Sequence, residues 1–187
     1  MTSNELLKLV FNYSAYTEEK IQTEFLPLSS EQLNSKPGKE SWSAAECFEH
    51  LFNTNQLYIP VFQNVLRKIE NEKHDSETEF KHTLIGKMII KSVDPEQSKK
   101  YKSPKAFRIN VREVRKDILH QFLNQHQQLI SIIKKFEEVD LRKIKIVSPA
   151  SKFVKYNLGD SLMIIAYHNK RHILQAERAV KNFTNQK

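Results

Sequence analysis

Three histidines in this chain are spaced so that they can share one ion. His168 and His172 are four residues apart. On a helix of 3.6 residues per turn that is about 40° of rotation, so both imidazoles leave one face, one turn apart. Two side chains placed in this way can grip a single divalent cation. His50 lies between Cys47 and Thr54 on the inner stripe of a separate amphipathic segment, so it points towards the same interior. Three neutral imidazoles leave coordination positions open, as catalytic metal centres do and structural ones do not. The competing reading is a set of histidines hydrogen-bonded within the core, because a buried polar side chain needs a partner of some kind. The residues alone leave both readings open. No glutamate follows His168, so the pair is not the zinc-protease H-E-x-x-H.

Other groups carry weaker signals. His126 falls near the inner face of a third segment, as a fourth ligand, a group behind the ligands, or an ordinary histidine. Cys47 reads as a small core residue rather than a thiolate ligand. His74, His82 and His120 read as exposed, and Glu46 as a helix cap. Arg171 sits between the paired histidines, where it meets an anionic substrate or simply solvent.

Four segments with helical periodicity must position these groups. The first covers residues 4–26, with Leu6, Val10, Tyr13, Thr17 and Ile21 at three- and four-residue steps. A polar connection over 27–42 contains Pro37-Gly38, which no helix or strand interior accepts comfortably. Ser43-Ala44-Ala45-Glu46 is a capping-box pattern and announces the second helix. Its two apolar stripes require cover from both sides, and Pro60 predicts a kink or break. Residues 71–110 are the least regular, with one short helix expected over 84–93. The third long helix is expected over 111–138. Residues 143–147 alternate like a strand but find no partner, so they read as an extended connection. The fourth helix starts near Asn157, a plausible N-cap, and runs to about Asn182. Together these describe an all-α, single-domain four-helix bundle over residues 1–187, with an irregular insert between its second and third helices.

Composition narrows the function classes. Three glycines and six prolines in 187 residues are too few for a turn-dense β-sandwich or barrel. The net charge of +8, from 30 Lys+Arg against 22 Asp+Glu, is spread along the chain. It reads as solvated helix faces rather than a nucleic-acid groove. A lone cysteine forms no internal disulfide. The absence of a signal-peptide pattern and of a long apolar run predicts a cytoplasmic protein that does not span a membrane.

Several of these stretches, taken in order, resemble a known family. Trp42-Ser43-Ala44-Ala45-Glu46 followed by His50-Leu51 is similar to the opening of the second helix in the DinB/YfiT-like superfamily. Asn157-Leu158-Gly159-Asp160, then His168, His172 and Gln175, resembles its fourth-helix signature H-x-x-x-H-x-x-Q, and residues 33–37 resemble the stretch before the tryptophan. The resemblance implies a four-helix bundle holding a divalent metal ion, zinc or nickel, on one histidine of the second helix and two of the fourth, here His50, His168 and His172. It also implies frequent homodimers and a small-molecule substrate. Relatives include bacillithiol-type thiol transferases, a mycothiol-dependent isomerase and metal-dependent hydrolases. The expectation is therefore a metal-dependent thiol S-transferase or hydrolase, with a non-catalytic metal-binding or stress-response module as the alternative. Nucleic acid is not an expected partner.

Overall fold

The computed structural model describes residues 1–69, 79–97, 107 and 114–184. Helix α1 (Ser3–Lys20) opens on a capping box, in which Thr2 Oγ1 accepts the Glu5 amide and the Glu5 carboxylate accepts the Thr2 amide. A π-helical turn, Ile21–Phe25, extends it. Helix α2 (Ser30–Asn34) is a single turn capped by Ser29 and Gln32. Helix α3 (Ala44–Ile69) begins as its sequence predicts, with Ser43 and Glu46 bonding each other's backbone amides. Helix α4 (Leu84–Val93) is capped by Thr83. Helix α5 (Ile118–Lys134) is followed by strands β1 (Lys145–Val147) and β2 (Lys155–Asn157) and by helix α6 (Leu158–Thr184).

The four long helices form a closed ring. α1 packs on α6 and α5, and α3 packs on the same two helices from the other side. The ring buries the apolar stripes that the periodicity marks, and so the chain is an all-α bundle. None of the described helices is long and apolar enough to cross a membrane.

The start of α6 is fixed by one buried carboxylate. Asp160 accepts from His82 Nδ1 (2.6 Å), from the Thr83 hydroxyl (2.7 Å) and amide (3.1 Å), and from the Asn157 amide (3.4 Å). Its own amide donates to Asn157 Oδ1, so Asn157 is the N-cap. This hub ties the entry to α4 onto the first turn of α6. α4 comes so close that a Cβ on Gly86 would sit 2.1 Å from the Asp160 carboxyl.

Several expectations are corrected. Residues 145–147 do have a partner, pairing antiparallel with 155–157 in the register Ile146↔Tyr156. The strands are three residues long, too short for alternation to reveal the second. The helix of α3 runs through Pro60 without a break, because Pro60 and Gln56, the carbonyl left without its amide, both face solvent. α5 is shorter than expected: residues 114–117 and 135–138 are not helical, and Glu138 adopts φ 68 as the chain turns away. Val114 and Phe136 nevertheless pack inward from outside the helix. His82 is half-buried on Asp160 rather than exposed. Much of the irregular stretch expected over 71–110 falls outside the described residues, as does His74.

Candidate metal centre

α3 and α6 bring the three histidines together. One ring nitrogen from each of His50, His168 and His172 lies within 4.8 Å of the others, and among the described residues no carboxylate or thiol joins this group. His50 Nε2 and His168 Nε2 face each other at 3.0 Å. Two such nitrogens at that distance need a cation or a shared proton between them. Ligand atoms about 2.0–2.1 Å from one ion stand about 3.4 Å apart in a tetrahedral site, close to what this pair presents.

Electrostatics favour the ligating form. Burial pushes the pKa of His50 down to about 4, with the Phe107 backbone pulling weakly the other way. Burial, reinforced by the charge of the neighbouring histidines and of Arg171, holds His168 well below the usual imidazole range. His172 is lowered for the same reasons, with burial first and His50 second. All three are therefore neutral at pH 7, and a neutral imidazole offers the lone pair that a metal ion needs. His172 Nδ1 donates to Gln175 Oε1 (3.0 Å), which leaves Nε2 as its free lone pair. The donor set fits a borderline cation such as zinc or nickel.

The site lies at the edge of the core rather than in its middle. The fully buried line of α6 is Ile165, Asn169, Ile173 and Ala176. His168 and His172 are only half-buried beside it, on the side facing α3. The two rings thus flank the buried line of α6 rather than lie on it. Trp42 closes one wall, its ring 5.6 Å from His172 in a stacked arrangement and 5.0 Å from His50. Its place at the site was visible in the sequence only through the family resemblance, whereas Gln175 also falls on the inward face of the fourth helix by its spacing from His168 and His172.

The other candidates are placed elsewhere. His126 is buried in the bundle and bonded through Nε2 to the Ser14 carbonyl (3.2 Å). Cys47 is fully buried, and burial, aided by Glu46, pushes its thiol up, so it is a core residue. Arg171 donates to the carbonyls of Asp94 (2.8 Å) and Gln97 (3.2 Å) and so fastens the chain after α4. His120 is exposed, and Glu46 caps α3.

No curated protein and no solved structure matches the chain. A family model described as the DinB superfamily matches residues 16–176, a span that includes all three histidines, Trp42 and Gln175. The chain belongs to the DinB superfamily.

Proposed function

We propose that the protein is a metal-dependent enzyme that holds zinc or nickel on His50, His168 and His172 and transfers a low-molecular-weight thiol to a small electrophile. The observation that carries this reading is the convergence of three neutral ring nitrogens at the rim of the core, with one side chain fixing the tautomer of His172. A bound ion supplies Lewis acidity that lets a thiol shed its proton near neutral pH. The chain's own residues supply the rest. The three imidazoles fix the position of the ion, Gln175 orients His172, and Trp42 offers an apolar wall against which a substrate can lie. In the net reaction the thiol sulfur forms a bond to the electrophilic carbon, the leaving group departs with the bonding pair, and the thiol proton passes to solvent. Hydrolysis of an ester or amide by an activated water is the neighbouring chemistry at the same site.

Metal analysis of purified protein beside His168→Ala tests the foundation: equal metal in the two removes it. Thiol conjugation to model electrophiles by the metal-loaded protein tests the reaction. Metal retention without conjugation or hydrolysis leaves a non-catalytic metal-binding module instead.

A further inference from the structure

The core of the bundle is interrupted. One apolar cluster ends at Val10 on α1, and the other resumes at Ile21. On α3 the break falls between Leu51 and Tyr58, and on α5 between Phe122 and Leu129. On α6 it falls between Ala166 and Ile173. All four long helices thus break together, and polar residues fill the gap: Thr17, Thr54 and Asn55, Gln125 and His126, and Asn169. None of the six is more than 5% exposed. The bond from His126 Nε2 to the Ser14 carbonyl ties the α5 part of this layer to the α1 part.

Seven polar atoms of these six residues have no partner among the described residues: Thr17 Oγ1, Thr54 Oγ1, both amide atoms of Asn55, Gln125 Oε1, His126 Nδ1 and Asn169 Oδ1. Left dry, they would together cost a large part of a domain's stability. Their chemistry narrows the guest. His126 Nε2–H donates to Ser14, so its Nδ1 is a bare acceptor, and the Gln125 amide already donates to Phe52 and Gln56. Asn55 alone offers both an N–H donor and a carbonyl. No charged side chain belongs to the layer, and the carboxylate that acts on it from outside, Glu18, already accepts from Gln127 at the surface, so an ion has no direct counter-charge there. A guest that both donates and accepts, is neutral, and is small enough for a helix-bundle core is water.

We propose that the polar layer is a binding site for a cluster of long-lived internal water molecules. The cluster borders the histidine site: Thr54 lies one turn beyond His50 on α3, and Asn169 directly follows His168 on α6. The buried Nδ1 atom of His168 also lacks a protein partner among the described residues. The water cluster accepts its proton and holds His168 Nε2 in the ligating form, a role that rests on the metal reading. The hydration itself does not.

Oxygen-17 magnetic relaxation dispersion of the metal-free protein counts the slowly exchanging waters. The wild type should show a dispersion that falls markedly in Thr54→Val and in Asn55→Leu and stays unchanged in the surface variant Asn182→Ala. A flat wild-type dispersion, or a high-resolution crystal structure in which the seven atoms pair directly with one another, overturns the proposal. For the metal-linked part, Thr54→Val should weaken zinc binding about 10- to 100-fold and Thr54→Ser should restore it. Unchanged affinity in Thr54→Val overturns that part alone. A wild type that binds no metal overturns the proposed function and leaves the water count standing.

Discussion

Trp42 is the chain's one tryptophan, and its ring lies 5.0 Å from that of His50 and 5.6 Å from that of His172. Its emission should therefore report on the site. Titration with nickel should quench most of the fluorescence of the wild type and leave that of His168→Ala almost unchanged. Zinc, which has no redox or open-shell route to quenching, should shift the emission without extinguishing it. Equal quenching of both proteins by nickel would place the ion somewhere else. The histidines were legible because a helix converts a spacing of four into a shared face, whatever surrounds it. Trp42 and its stacking were not. It stands in the connection before α3, where no periodicity says which way a side chain turns.

At the scale of elements, Asp160 joins three parts of the chain: the entry to α4, the end of β2 and the start of α6. Removing its carboxylate strands several buried donors at once, so Asp160→Ala should cost about 2–4 kcal/mol. Gly86→Ala should also destabilise. Alanine's better helix propensity, worth about 1 kcal/mol, is outweighed by overpacking of about 1–3 kcal/mol against a carboxyl 2.1 Å from the new Cβ. The two effects should not add, because the clash partner is gone in the double variant. Chemical denaturation of the four proteins checks this, and strict additivity would mean that α4 does not rest on Asp160. Such a hub was hidden in the sequence. Asn157 was readable as a cap because capping is local, but His82 and Thr83 are over 70 residues away along the chain from the carboxylate they bind. The single turn α2 is the opposite case. Its Ser29-to-Gln32 capping box was there to be read, but five residues are too few to show a period.

Among the described residues four buried or part-buried histidines are held neutral, three at the candidate metal site and His126 in the polar layer, and that makes the stability of the whole molecule depend on pH. For His126 the cause is burial, only partly offset by its bond to Ser14 and by the charge of Glu18, and its pKa lies below the ordinary value of 6.5. The unfolded chain therefore takes up a proton at a pH where the folded chain does not. Unfolding draws in protons between the two values, so the contribution is fully present above about pH 6.5 and is lost as the pH falls towards the lowered folded value. Within that window each such histidine tilts the unfolding free energy by up to about 1.4 kcal/mol per pH unit. Urea unfolding of the metal-free protein from pH 7.5 down to 5 should show stability declining steadily, and His126→Gln should decline less steeply by about one histidine's share. Saturating zinc should raise the whole curve, by about 4 kcal/mol at a thousand times its dissociation constant. Over this range it should leave the slope of the decline unchanged, because the ligands of the folded metal-free protein are already neutral and protons compete with the ion for them only at lower pH. A zinc-independent curve with the same slope in wild type and His126→Gln would show that neither the metal site nor the polar layer holds its histidines neutral.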